Sequence, residues 1–230
     1  MTAAPALDLR ELLAKRFPDA VPLPARRDGG ISTGLAPLDR ILPNGGLPRG
    51  RPTLWSTPGA GATALLSQAC RAVTQAGMRA AWIDTLHQLG PGWCDGPVVF
   101  RPRTPLLALR FAEILAASGG FALVVLHGVA ADRTTFFRLS RAVHEGGGAF
   151  AMVSDAALPA ALRLRSRYVL DRFEWARTPF GDPAVVRQAA VAVDATASGW
   201  NAHTVLSLPV ISHAVRCALP PGLADRRGAD

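Results

Sequence analysis

Residues 51–66, RPTLWSTPGAGATALL, run from a short apolar strand through a glycine-containing turn into a helix. This is the layout of a phosphate-binding loop. The working form is G-x-x-x-x-G-K-[ST] between a strand and a helix. Its glycines let backbone N–H groups wrap phosphates, its lysine neutralises their charge and its hydroxyl binds Mg²⁺. Here the two glycine positions fall on Thr57 and Ala62, the lysine on Thr63 and the hydroxyl on Ala64. Pro58, Gly59 and Gly61 keep the turn, and a helix N-terminus still attracts an anion weakly. The loop is laid out for phosphate but lacks the groups that hold it.

Strands and helices alternate outward from this loop. Helix 62–76 carries Leu65, Leu66, Ala69, Val73 and Ala76 on one face. Strands are expected at 79–84 and 97–100, then a helix at 104–118 with Leu107, Phe111, Ile114 and Leu115 on one face. A continuously apolar strand at 121–127, a helix at 134–145 and a strand at 149–154 follow. Strands separated by helices imply a parallel sheet with right-handed crossovers, and the 121–127 strand should be central and buried on both faces. After Asp155 the pattern changes. A short helical stretch at 156–164 leads to strands at 168–177, 184–195 and 203–208, joined by turns at Phe180–Pro183 and Ser198–Asn201. The expected fold class is α/β: a mostly parallel sheet flanked by helices, with antiparallel C-terminal strands on one edge.

The 230 residues divide into an N-terminal helical arm and linker (1–30), a core (31–208) and a polar tail (209–230). In the arm, Leu9, Leu12, Leu13 and Phe17 share one helical face, suited to packing on the core or on a partner. The longest apolar run, beginning at Phe121, is far short of a membrane span. Acidic residues interrupt the N-terminus where a signal peptide needs its apolar stretch, so a cytoplasmic protein is expected. Three scattered cysteines and unpaired histidines point to neither disulfides nor metal. The net charge of +8 is almost wholly arginine, since Lys15 is the single lysine. A mechanism that needs a lysine in the body of the fold is excluded.

The segment Ile31–Leu35 (ISTGL), Leu38-Asp39, Gly45–Gly50 (GGLPRG), then strand, loop and helix resembles the front of the RecA recombinase core. So does Trp82–Asp84 with His87 after it. The closer resemblance is to the ImuA family, RecA-like proteins of bacterial mutagenesis cassettes. That family typically has the GG-x-PRG turn, a ruined nucleotide loop, and a strand followed by Arg-Pro, here Phe100–Arg103. The resemblance implies a RecA-like core over 31–208. RecA-like ATPases place a catalytic glutamate two residues past the position of Asp84, where this chain has Leu86. Their Walker B aspartate falls on Leu126, followed by His127. Loss of lysine, base and metal ligand together leaves no electrostatic stabilisation for phosphoryl transfer. The resemblance therefore implies a pseudo-ATPase without cofactor or catalytic residues.

By the same resemblance the chain is expected to be a non-catalytic adaptor in damage-induced (SOS) translesion DNA synthesis. Its partners would be an ImuB-like Y-family polymerase homologue, RecA and a DnaE-type error-prone polymerase, with nucleoid association when engaged. The alternative is an arginine-rich DNA-binding modulator of RecA recombination. Arg163, Arg165 and Arg167 alternate, so in extended backbone they face one side and offer weak contacts to nucleic-acid phosphate. A solvated face is the plainer reading, because stacking aromatics are scarce nearby.

Overall fold

The strand that opens the loop motif is β1 (Pro52–Ser56), buried along its first four residues. β2 (Ala80–Asp84), β4 (Leu123–His127) and β5 (Ala149–Val153) are buried along their whole length, as strands covered on both faces must be. β3 (Val98–Phe100) is short and partly exposed. β6 (Leu162–Tyr168), β7 (Glu174–Arg177), β8 (Pro183–Ala197) and β9 (Trp200–Pro209) complete the sheet. The computed structural model describes residues 29–56, 61–87, 89, 96–177 and 183–210. The arm at 6–17, loop residues 57–60, the turn at 178–182 and the tail beyond 210 lie outside the described residues.

The strand order is β3, β2, β4, β5, β1, β6, then β8. Every pairing from β3 to β6 is parallel. β4 lies between β2 and β5, central and buried on both faces as expected. Direction changes at β6, which is parallel to β1 and antiparallel to β8. β8 takes β6 along Val191–Thr196 and β7 along Pro183–Gln188. Its other edge pairs with β9 from Gln188↔Pro209 to Ala197↔Trp200 without a break. Ser198 and Gly199 alone close that hairpin, with Gly199 at φ 70°. A two-residue loop of this kind matches the twist of the flanking strands.

Helices cover the parallel part on both sides. α1 (Ala36–Ile41) and α2 (Ala62–Gln75) lie on one face, packing Leu38, Leu65, Leu66 and Val73 with Trp55, Trp82 and Val125. α3 (Pro105–Ala117) and α4 (Arg133–Gly146) lie on the other, over Leu54, Ile83, Leu126 and Met152. The residues α3 buries are Ala108, Ala112 and Ala116, one per turn, so the helix approaches the sheet closely. Both helices have sequence-encoded starts. Thr104 accepts the Leu107 N–H and Asp132 accepts the Thr135 N–H.

Three expectations differ from the structure. Of the face expected on the 104–118 helix, Leu107 and Ile114 are exposed, because α3 turns Ala108, Ala112 and Ala116 to the sheet. No helix forms at 156–164. Pro159 disfavours helical backbone at Leu158, and Leu162, Leu164 and Ser166 fall on one face of a strand that β1 needs as a neighbour. The strand expected at 168–177 is interrupted by a 3₁₀ turn at Leu170–Arg172, so β6 and β7 line the same edge of β8 as separate pieces. α1 was not anticipated from the sequence.

The segment before β1 explains the ISTGL…LD and GGLPRG motifs in physical terms. Asp39 accepts hydrogen bonds from the Ser32 hydroxyl (2.6 Å), the Thr33 amide (2.8 Å) and the Thr33 hydroxyl (2.7 Å), which ties the first turn to α1. Ile31 and Leu47 exchange backbone bonds of 2.8 Å. Gly46 lies so close to that exchange that a Cβ would come within 2.3 Å of the Ile31 carbonyl oxygen.

Two stability predictions follow from these contacts. The indole N–H of Trp55 donates to Ser166 Oγ at 2.9 Å, and both residues are 1% exposed. Ser166→Ala strands that donor and should cost about 1–3 kcal/mol in urea unfolding; an unchanged midpoint would show that the bond adds nothing. Gly46→Ala pushes a methyl into the Ile31 carbonyl and should cost about 1–3 kcal/mol or more. Gly45→Ala serves as the open-space comparison, because a Cβ there meets nothing within 4 Å, though its φ of 71° adds its own strain.

Candidate functional site

The position of the phosphate loop lies at the C-terminal ends of β1, β2 and β4, where open α/β sheets bind ligands. Thr57, Pro58, Gly59 and Ala60 are outside the described residues. Gly61 begins α2 in the left-handed region at φ 85° and offers no side-chain cap. A Cβ at Gly61 would meet both Val191 methyls at 3.2–3.3 Å and the Tyr168 ring at 3.7 Å. The helix start is therefore pressed against β8 and β6. Ala62 and Ala64 are buried, 5% and 2% exposed, and Thr63 is half-buried. Two methyl groups thus occupy the helix's first turn, where the loop motif has a glycine and a metal-binding hydroxyl.

At the end of β2, Asp84 is fully buried. Its Oδ2 accepts the Leu89 amide at 3.0 Å and lies 3.9 Å from Arg101 Nε. Arg101 Nη2 in turn donates to the Leu89 carbonyl at 2.6 Å. The arginine of the Phe100–Arg103 motif is thus a brace, holding the loop after β2 through Asp84 and Leu89. The loop then folds over the end of β4. Thr85 Oγ1 donates to the His127 carbonyl at 2.9 Å. A Cβ on Gly128 would come within 2.4 Å of Thr85 Oγ1 and of Leu86 Cγ. Leu86 therefore reaches the end of β4 with an apolar, half-exposed side chain.

Leu126 and His127 face opposite ways. Leu126 is buried under α3 and α4. By strand alternation His127 lies with Leu123 and Val125 on the α2 side. It is paired in register with Asp84 and edge-on to the Trp82 ring, with 6.2 Å between centroids. His127 is therefore the strand-end residue on the loop's side. It is 6% exposed, and its Nδ1 has no hydrogen-bond partner among the described residues. Burial holds its pKa below the usual imidazole value, with Asp84 pulling the other way. A buried imidazole set edge-on to tryptophan is packed as a core side chain. Only its position after an apolar strand marked it in the sequence.

The arginine groups separate clearly. Arg163 is half-buried and its guanidinium donates to the Leu158 carbonyl. Arg165 and Arg167 are exposed on the same face of β6. Arg138 pairs with Glu113 across α3 and α4, Arg141 with Glu145 one turn on, and Arg133 lies over the Phe137 ring at 5.7 Å. Surface pairs of this kind add little stability. The candidate arm residues Leu9, Leu12, Leu13 and Phe17 fall outside the described residues.

No protein-family model matches the chain. The chain is 37% identical over 109 residues to the RecA protein of Thioalkalivibrio sulfidiphilus, covering 44% of this chain and 32% of that one. It is 38% identical over 109 residues to RecA of Clavibacter michiganensis subsp. michiganensis, covering 44% and 30%. The RecA of Azoarcus sp. is 36% identical over the same length, covering 44% and 32%. The match thus spans between 30% and 32% of the length of these curated relatives. Among the described residues no helix is long and apolar enough to cross a membrane. Partial identity to RecA, on a largely parallel sheet flanked by helices, supports placing the chain in the RecA-like superfamily.

Proposed function

We propose that the chain is a non-catalytic RecA-like adaptor of the ImuA type, acting in DNA-damage-induced translesion synthesis. One observation carries the non-catalytic part: the start of α2 is filled by the buried methyls of Ala62 and Ala64 and pressed against Val191 and Tyr168. The same strand ends present Leu86 and a buried His127, whose pKa burial lowers. Asp84, a carboxylate at these strand ends, is engaged by Leu89 and faced by Arg101. Phosphoryl transfer needs positive charge on the phosphates and a group to orient the attacking water. Ala62, Ala64 and Leu86 supply neither, and Arg101 is committed to Asp84 and the Leu89 carbonyl.

The adaptor part rests on the family resemblance of the ISTGL, GGLPRG and Arg-Pro motifs. A RecA-like body that does not turn over nucleotide can dock constitutively where a nucleotide-switched subunit would dock transiently. The expected partners are an ImuB-like Y-family polymerase homologue, RecA and a DnaE-type error-prone polymerase. The arm offers Leu9, Leu12, Leu13 and Phe17 for that contact. Burial of large apolar side chains contributes about 1.5–3 kcal/mol each before ordering costs.

Two measurements test this reading. Purified protein should release no phosphate from ATP above background, with or without single-stranded DNA. DNA-stimulated hydrolysis that disappears on substitution of residues 57–64 would overturn the pseudo-ATPase assignment. In pull-downs, the chain should retain an ImuB-like protein or RecA, and lose it on removal of residues 1–24 or in the Leu12→Asp, Phe17→Asp double variant. Undiminished capture by a folded variant would assign the arm to self-packing.

A further inference from the structure

The buried apolar layer beneath α3 and α4 ends at Leu158 and contains no residue of β6, β8 or β9. Beyond β1, that face of the sheet has no helix over it among the described residues. Strand register shows what it displays. Arg163 is opposite Thr196, Arg165 opposite Asp194, and Asp194 opposite His203, while Thr196 is opposite Asn201. Directly paired residues share a face. Arg165, Arg167, Thr196, Asn201 and His203 are exposed there, around a half-buried Asp194.

The charges on this face are unevenly engaged. Asp194 Oδ1 accepts from His203 Nδ1 at 2.7 Å, and Asp194 Oδ2 lies 3.3 Å from Arg167 Nη1. Arg163 is turned to the Leu158 carbonyl. Arg165 makes no ion pair among the described residues, although it faces Asp194 in register. The carboxylate thus spends its oxygens on Arg167 and His203 and leaves the adjacent guanidinium open.

We propose that Arg165 and Arg167, flanked by His203, bind the phosphate backbone of nucleic acid, and that Asp194 is a built-in competitor that limits the affinity. The chemistry favours a polyphosphate over an acidic protein segment. Protein partners are held mainly by buried aromatic or aliphatic anchors. Among the described residues this face exposes no aromatic side chain, because Trp200 pairs with Ala197 and so falls on the opposite side by alternation, and Val205, opposite Ala192, is half-buried. The guanidinium fork matches phosphate oxygens bidentately. Two strand residues set Arg165 and Arg167 about 6.6 Å apart along β6, close to the separation of successive phosphates on an extended strand. The lack of a stacking aromatic makes the contact one of backbone alone, so duplex and single strand bind alike. A protein that fails this test can still bind ImuB, and one that passes need not.

The test is fluorescence anisotropy of the full chain with a short labelled duplex over a low-salt series, read as differences between variants so that arm and tail charges cancel. Arg165→Ala should weaken binding several-fold and lower the salt slope by about one unit. Asp194→Asn should tighten binding several-fold, because the carboxylate no longer competes with phosphate. Asp194→Thr, compatible with a strand, repeats that arm if the asparagine variant unfolds. Polyglutamate at equal charge concentration should leave the duplex bound. Unchanged affinity in Arg165→Ala, no gain in both Asp194 variants, or displacement by polyglutamate would each overturn the proposal.

Discussion

Everything in this fold depends on satisfying β1 on both edges. Its backbone is buried between β5 and β6, and buried peptide groups must find partners. β5 brings Phe150–Val153 and β6 brings Leu162–Arg165. Once both are in place, Trp55 can lie under α2 with its indole on Ser166, and α2 starts against Tyr168 and Val191. The loop position, the strand ends and the arginine face are all located by that one strand.

The sheet was legible where burial is two-sided. The uninterrupted runs at Val124–Leu126 and Ala149–Val153 have no polar face to confuse with a helix, and the boundaries read from them stand close to β4 and β5. The failure at 156–164 has a physical cause. Ala157, Leu158, Ala161 and Leu162 fall at helical spacing, and only Pro159 and the strict alternation of Leu162–Arg167 argue against a helix. The role of β6 as neighbour to β1 comes from distant residues and is not written locally. α1 is too short for periodicity to announce it, and it is held by Asp39 reaching back to Ser32 and Thr33.

The candidate site was legible as chemistry and less so as geometry. The sequence alone shows that lysine is missing from the loop and that a leucine stands at position 86. It does not show that Leu126 turns away from the loop while His127 turns toward it, because that depends on which face of β4 meets α2. Nor does it distinguish three arginines at alternate positions. Arg163 is claimed by a carbonyl five residues earlier, and Arg167 by a carboxylate on another strand. Such allocation is set by register, which is a tertiary property.

The distance in sequence between β1 and its two partners has a consequence for how the chain is made. β1 ends at Ser56, while β5 begins at Ala149 and β6 ends at Tyr168. On a ribosome, β1 emerges roughly a hundred residues before either neighbour, which is several seconds to tens of seconds of synthesis. During that interval PTLW is an apolar strand with two open edges. The hairpin of β8 and β9, by contrast, closes locally through Ser198 and Gly199 as soon as it is released. The nascent chain therefore carries β1 unpaired until Tyr168 has been translated, and collapse of the parallel sheet waits on the arrival of Leu162–Tyr168.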